Sequence, residues 1–426
     1  MLKQDAWASS EKQSFSRPTK NDIYTTEILE LSELGSGVSK IDGFVVFTPN
    51  TLPGELVKLK IVKVKKTYAY GKVLNIIEES RARVTPICPA FLSCGGCSLL
   101  HMDYEEQLKL KNIDFYDKDL HYRNKVTFPV TNNGIGYYKT GTHENVNFYD
   151  CKIANEDFVD IISQIESLRI EPYNEKTHKG LLRHIFLRKS GEEIMIALVL
   201  NAKRGKEPHK VSQKILSLNL PVSSIVLNYN DKKTNVILGE KSQTIFGKPY
   251  ITAELLGLTF QISLHSFYQV NEPLTEMLYS KVLENIDEKS TVLDAYCGIG
   301  TISILAAKKA KHVHGIEIVQ AAITDAKKNA LLNNVENVTF QVGDAKEAKI
   351  ERDIVILDPP RKGCDAKLLE EINDSFAKKV IYISCNPKTL DRDLRYLTNF
   401  EVAEKKRFDF FPNTLHIETL TILNRR

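Results

Sequence analysis

From residue 263 onward, short apolar runs near residues 291–294, 313–317, 338–342, 354–357 and 380–384 alternate with helix-length segments of mixed polarity. Strands that recur with helices between them run parallel and are covered on both faces, so the alternation commits residues 263–426 to a doubly wound, Rossmann-like sheet. Ligands of such sheets sit at the carboxyl ends of the strands. The residues with chemistry to offer fall at those ends.

The first run, Thr291-Val-Leu-Asp-Ala-Tyr-Cys-Gly-Ile-Gly-Thr301, passes from a buried strand through a glycine turn into a helix, and Gly298 and Gly300 admit a ligand close to the backbone. A dinucleotide fingerprint would carry a third glycine where Ser303 stands, which weakens a hydride-transfer reading. Glu317 closes the second strand, placed to accept hydrogen bonds from the ribose hydroxyls of an adenosine. Asp344 follows the third, within reach of an adenine amino group. Taken singly, either acid could instead cap a loop. In Asp353-Ile-Val-Ile-Leu-Asp-Pro-Pro-Arg-Lys-Gly363 the fourth strand delivers Asp358 to its end, and Pro359-Pro360 stiffens the exit. Acid-Pro-Pro at this place resembles the signature of S-adenosylmethionine-dependent methyltransferases that act on nucleic-acid bases. Enzymes of that kind that methylate exocyclic amines carry an aromatic residue next; this chain has Arg361.

The last parallel strand ends in Ser384-Cys385-Asn386-Pro387. A cysteine beside the cofactor crevice is either a small structural residue or an attacking group. Uracil gives the second option a purpose. Its C5 is a weak nucleophile until a thiolate adds at C6, and after methyl transfer a base must remove the C5 proton so that the thiolate can leave. The segment Phe411-Pro-Asn-Thr-Leu-His-Ile-Glu418 offers Glu418 as that base on a terminal strand.

The rest of the chain reads differently. Residues 1–20 are polar and mixed, as in a disordered tail. Residues 21–80 hold strand-like segments at Ile28–Leu31, Phe44–Phe47, Glu55–Val64 and Tyr70–Ile77, with turn signals at 35–37, 42–43 and 53–54, which suits a small OB-like β-barrel. In Val57-Lys-Leu-Lys-Ile61 the apolar and basic residues alternate, then resume one step out of phase at Lys63-Val-Lys65, as a bulge would cause. Six lysines and no acid occur from Lys58 to Lys72, with Tyr68 and Tyr70 among them. Lys58, Lys60, Lys63 and Lys65 are therefore either RNA phosphate contacts or the protective charges of a solvated edge strand. The net charge of +4 does not decide between them. Residues 81–262 carry alternating strands such as His184–Arg188 and Ser224–Asn228 and a helix-like Tyr104–Lys111 segment, expected as an antiparallel α+β unit. Cys88, Cys94, Cys97 and the later Cys151 stand in this region. Four thiolates can complete a [4Fe–4S] cube, while a structural zinc site is the alternative despite the wide first gap. No apolar run reaches the roughly 18 residues of a membrane span, and no signal-peptide core is present, so a cytoplasmic protein with no membrane contact is expected.

Ser-Cys-Asn-Pro at 384–387, Asp-Pro-Pro-Arg-Lys-Gly at 358–363, His-x-Glu at 416–418 and Ser266-Phe-Tyr-Gln-Val-Asn271 together resemble the RNA uracil-5-methyltransferase family. The likeness implies that Cys385 is the nucleophile and Glu418 the proton acceptor, with Gln269, Tyr296, Glu317 and Asp358 at S-adenosylmethionine. It extends over almost the whole chain: residues 21–80 resemble the TRAM RNA-binding barrel, and Cys88-x5-Cys94-x2-Cys97 with Cys151 is similar to the [4Fe–4S] ligands of the ribosomal RNA branch. Arg123-Asn124-Lys125 resembles the family's RNA-contacting segment, although only 25 residues separate Cys97 from it, a shorter interval than the likeness leads one to expect. The implied protein is a monomer that methylates 23S rRNA. A tRNA uridine methyltransferase and a non-catalytic RNA-binding factor on the same fold are the competing readings. Cys297 and Cys364 have no motif role.

Overall fold

The computed structural model describes residues 17–426 except Phe115, Asp117, Gly141 and His143, so most of the expected N-terminal tail lies outside the described residues. The chain divides into two compact units. One comprises the residues up to Ile87 with Cys97–Gln107 and Asn413–Leu415; the other holds the remainder.

The first unit contains β1 (Ile23–Glu27), β2 (Glu30–Leu31), β3 (Gly37–Ile41), β4 (Phe44–Thr48), β5 (Leu56–Val64) and β6 (Tyr68–Glu78), in the sheet order β1-β5-β6-β4-β3-β2. Because β1 and β2 are one bent stretch of chain, pairing with β5 at one end and β3 at the other, the sheet closes on itself. The expected strand at Ile28–Leu31 is interrupted at this bend. Ile28, Val46, Val57, Leu59, Ile61 and Ala69 fill the interior. The predicted bulge is present, as a register shift between Ile61 and Lys63 against β6.

In the second unit, β7 (Lys125–Thr131), β8 (Gly134–Ile135), α2 (Asp157–Ser167), β9 (Leu182–Ser190), β10 (Glu193–Leu200), α3 (Lys206–Leu216), β11 (Ser224–Tyr229) and β12 (Lys241–Gly247) follow the short helix α1 (Tyr104–Lys111). Their sheet has the order β12-β11-β10-β9-β7-β8. The antiparallel expectation needs correction here, since β10 and β11 pair parallel. The cause is α3, which carries the chain back as a crossover between them. Phe158, Ile161, Ile162 and Ile165 of α2 and Val211 and Ile215 of α3 cover one face. A hairpin, β13 (Tyr250–Leu255) with β14 (Leu258–Ser263), packs against β9 and β10. Burial of nearly every residue of β9 and β10 explains the unbroken run EIMIALVL.

The chain then forms α4 (Glu272–Leu283), β15 (Thr291–Asp294), α5 (Thr301–Ala307), β16 (His312–Glu317), α6 (Gln320–Leu332), β17 (Val338–Val342), β18 (Ile354–Leu357), α7 (Ala366–Asp374), β19 (Lys379–Ser384), α8 (Pro387–Leu394), β20 (Phe400–Phe408) and β21 (Glu418–Arg425). The sheet order is β17-β16-β15-β18-β19-β21-β20. Its first five strands are parallel as expected, while β21 runs antiparallel between β19 and β20. The winding reverses between β15 and β18, and a crevice opens there at the carboxyl ends. No helix among the described residues is long and apolar enough to cross a membrane.

Candidate active site

A cleft of about 690 Å³ lies at that reversal. Gln269, Tyr296, Glu317, Asp344, Asp358, Cys385 and Glu418, the expected cofactor and catalytic residues, all line it. Phe267, Gly298, Arg361, Lys346, Lys362, Phe411 and His416 complete much of its wall.

The glycine turn places the backbone at the cleft. Gly298 and Gly300 have φ of +52° and +81°, a left-handed conformation that costs glycine little. A Cβ at Gly298 would meet nothing within 4 Å, whereas one at Gly300 would lie 2.9 Å from the Phe340 ring. Gly298 is thus held open toward a ligand, and Gly300 is fixed by close packing. Glu317 lines the cleft and also caps a loop, accepting the Gly298 and Val319 backbone N–H groups at 3.3 and 2.9 Å. Asp344 likewise caps the short turn after β17 through Lys346 N–H at 3.2 Å, and the Lys346 side chain helps hold its pKa below the ordinary carboxylate value.

Two further carboxyls are shifted the other way. Burial, followed by the nearby Asp294, pushes Asp358 up to about 7. Burial raises Asp294 to about 6, although Ser303 Oγ donates to it at 2.6 Å and works against the rise. The Ser303 that replaces a third fingerprint glycine therefore supports a buried acid.

At the far side, the β19–β21 register pairs Ser384 with Thr419, and one further step sets Cys385 opposite Glu418. Glu418 is almost fully buried. Burial, and then Asp358, raises its pKa well above the usual range, and Arg361 opposes the shift. Burial also pushes the Cys385 thiol up, with Glu418 and Asp358 adding to the rise and Arg361 lowering it. Arg361, which lines the cleft and bears on both groups, is a candidate site residue that the motifs contain without assigning it a role. Its signal is its place in Asp-Pro-Pro-Arg, one step beyond the paired prolines. His416 meets Phe411 edge-on, with ring centroids 5.9 Å apart.

The basic trio adjoins this cleft. Asn124 is buried, its N–H donating to Val270 O at 3.0 Å and its amide to Gln269 O at 3.3 Å, so it helps fix the segment bearing Phe267 and Gln269. Lys125 Nζ lies 5.9 Å from the exposed Phe267 ring. Its pKa is lowered to about 8 by burial and by the neighbouring Arg188 and Arg123.

In the barrel, Lys58, Lys63 and Lys65 are exposed and Lys60 half-buried. Over Lys58 and Lys60, strand β5 is interior, paired with β1 on one side and β6 on the other. Edge protection therefore does not explain those two lysines.

The cysteines are less gathered. Cys88, Cys94 and Cys151 belong to the second unit, each half-buried and none in a disulfide. Burial raises the thiols of Cys88 and Cys94, and each also feels Cys151. Cys97 opens the segment 97–107, which groups with the barrel. Among the described residues, no three His, Cys, Asp or Glu side chains are arranged as a metal ion would require.

Comparison with known proteins agrees with this architecture. Residues 19–74 match the TRAM domain family and residues 286–408 a methyltransferase domain family. An uncharacterized RNA methyltransferase of Halalkalibacterium halodurans is 42% identical, covering 95% of this chain and 97% of that protein. One from Oceanobacillus iheyensis is 40% identical over the same shares. Among solved structures, the tRNA (uracil-54, C5)-methyltransferase of Pyrococcus abyssi, in complex with S-adenosyl-L-homocysteine, is similar with a TM-score of 0.79 and 27% identity, covering 94% of this chain and 99% of that one. With a TRAM barrel, a methyltransferase fold and near full-length likeness to these relatives, the chain belongs to the RNA methyltransferase family.

Proposed function

We propose that the protein transfers a methyl group from S-adenosylmethionine to C5 of a uridine in RNA. The observation that carries this reading is the cleft in which Cys385, Glu418 and Arg361 share a wall with Gln269, Tyr296, Glu317, Asp344 and Asp358. Those last five residues, with Gly298, would hold the cofactor, which supplies a methyl group on a sulfonium. Cys385 Sγ adds to uracil C6, turning C5 into an enolate carbon able to accept the methyl. The Glu418 carboxylate then takes the C5 proton, the C6–S bond breaks, and the thiolate is released. Arg361 serves both steps, because its positive charge favours the anionic forms of the thiol and of Glu418. Lys125 beside Phe267, Arg123 close to it in the chain, and the barrel lysines supply RNA contacts in this reading.

The proposed substrate is 23S rRNA, on the strength of the cysteine motif. A tRNA substrate is the second reading, and the Pyrococcus abyssi enzyme favours it: the shares covered leave only a small part of either chain unmatched, so possession of the barrel does not by itself separate the two substrates. For the cysteines, the donor set of four thiolates fits a [4Fe–4S] cluster on Cys88, Cys94, Cys97 and Cys151, and the nearness of Cys151, which raises the thiols of both Cys88 and Cys94, supports it. The cluster's role would be structural or RNA-positioning.

The test uses labelled cofactor with 23S rRNA and with tRNA, followed by denaturing electrophoresis. Cys385→Ala should abolish methylation and any covalent RNA adduct. Glu418→Gln should accumulate a methylated RNA–protein adduct, since the C5 proton has no base to take it. An adduct persisting in the Cys385→Ala, Glu418→Gln double variant would remove Cys385 as nucleophile, and labelling of tRNA alone would overturn the ribosomal assignment.

A further inference from the structure

Asp393 on α8 has no exposed surface and does not itself line the cleft. It accepts Tyr382 O–H at 2.6 Å, Cys364 N–H at 2.8 Å and Arg392 Nε–H at 2.7 Å. Arg392 turns another nitrogen to the carbonyl oxygens of Lys362 and Cys364, at 2.9 and 3.2 Å. Asn386 donates to the Arg361 carbonyl at 3.2 Å. These bonds join two neighbours in the sheet: the loop after β18, which carries Arg361, and the strand β19 and helix α8 that flank Cys385.

The close fit is visible at Gly363. Its φ is +76°, and a Cβ there would come within 2.5 Å of an Arg392 nitrogen and 2.6 Å of an Asp393 oxygen. Only glycine lets the loop lie this near the carboxylate. Cys364 Sγ also donates to the Tyr382 hydroxyl at 3.6 Å and interacts with the Tyr296 hydroxyl, so the same network reaches a residue of the cofactor wall. Cys364, which the motifs left without a role, is thus a link in a buried polar chain. A buried carboxylate is costly unless fully partnered, and here every partner lies on the loop, on β19 or on α8 itself.

We propose that Asp393 is a positioning residue: through Cys364, Tyr382 and Arg392 it fastens the 361–364 loop to the strand ending in Cys385 and so keeps the Arg361 guanidinium beside the thiol. The inference rests on the reading of Cys385 as nucleophile. Facing Cys385 are Glu418 from β21 and Asp358 and Arg361 from the end of β18, with His416 in the same cleft. Arg361 is the cation among them that lowers the thiol's pKa. If the loop drifts, that counter-charge is lost while the two acids remain.

The experiment measures alkylation of Cys385 by iodoacetamide against pH in the full-length protein, with peptide mass spectrometry to isolate this cysteine from the others. Arg361→Ala should move the midpoint upward by about one pH unit, the usual effect of losing a close opposite charge. Asp393→Asn should move it in the same direction by at least half as much, and the double variant should go little further than Arg361→Ala, because both act through one cation. Tyr382→Phe, which removes one of the three bonds, should give a smaller shift of the same sign and stands in if Asp393→Asn does not fold. A wild-type midpoint in folded Asp393→Asn or Tyr382→Phe, an unchanged midpoint in Arg361→Ala, or full additivity in the double variant would each overturn the proposal. Absence of uridine methylation by the wild type would instead defeat the proposed function and leave the alkylation result readable.

Discussion

Asp294 gives the most quantitative handle on the cleft. Its side chain is fully buried at the end of β15, and burial lifts its pKa from 3.8 to about 6. Below about pH 4 the folded and unfolded chains both hold this proton, so the group contributes nothing to the pH dependence. As pH rises from 4 to 6 the unfolded chain ionises first, and the native state loses stability. Above 6 the loss levels off at about 3 kcal/mol, the worth of that displacement at roughly 1.36 kcal/mol per unit. Of this, about 1.4 kcal/mol falls between pH 5 and 7.5. Asp294→Asn has no proton to lose, so its stability difference between those two pH values should be smaller than the wild type's by about 1.4 kcal/mol. The Asp358 carboxyl, raised partly by Asp294, should at the same time become easier to ionise. Urea unfolding followed by circular dichroism at the two pH values measures the difference. Cofactor binding supplies a second reading: positively charged S-adenosylmethionine should bind the wild type more tightly as pH rises through 6 to 7, and neutral-sulfur S-adenosylhomocysteine should gain less. A variant with the wild-type pH slope, or an affinity for S-adenosylmethionine that falls over this range, would refute the account of Asp294 as a buried acid that ionises near pH 6.

Replacing Lys58, Lys60, Lys63 and Lys65 by alanine should weaken RNA binding and flatten its dependence on log salt by up to about 0.7–0.9 for each phosphate no longer neutralised, while calorimetric S-adenosylmethionine affinity stays unchanged; an unaltered salt slope would show that these lysines only solvate the barrel. Anaerobically purified protein should be brown and contain about four iron and four sulfide per chain. Cys151→Ser should bleach it, and a colourless protein with stoichiometric zinc would rule the cluster out.

The site was legible in the sequence wherever a residue terminates a buried strand. Asp358 and Cys385 each follow a short, strongly β-branched apolar run that reads as a strand, and Glu317 closes a weaker one, His312-Val-His-Gly-Ile, so their convergence followed from the topology. The bulge near Lys63 was legible because a slip in alternation has no other cheap cause. What could not be read depends on partners distant in sequence. The parallel pairing of β10 and β11 was hidden because α3 and the strands beside it carry no sign of strand direction. Strand β20, FEVAEKKRF, was missed because it is exposed along most of its length and so has little apolar pattern. Asp393 carries no signal in the sequence, since its partners lie 11 and 29 positions away.

The reversed direction of β21 has a consequence for synthesis of the protein. In a sheet of parallel strands alone, each carboxyl-end residue is made soon after its strand; here the antiparallel insertion brings Glu418, translated after every other residue of the cleft, to the same edge as Cys385. A nascent chain has its proposed nucleophile and every proposed cofactor residue before it has its proposed base, and while residues 418–425 are still in the ribosomal exit tunnel the strand they form cannot take its place beside β19. On the proposed reading, competence for turnover therefore arrives only when that strand has left the tunnel and β21 has filled its place between β19 and β20.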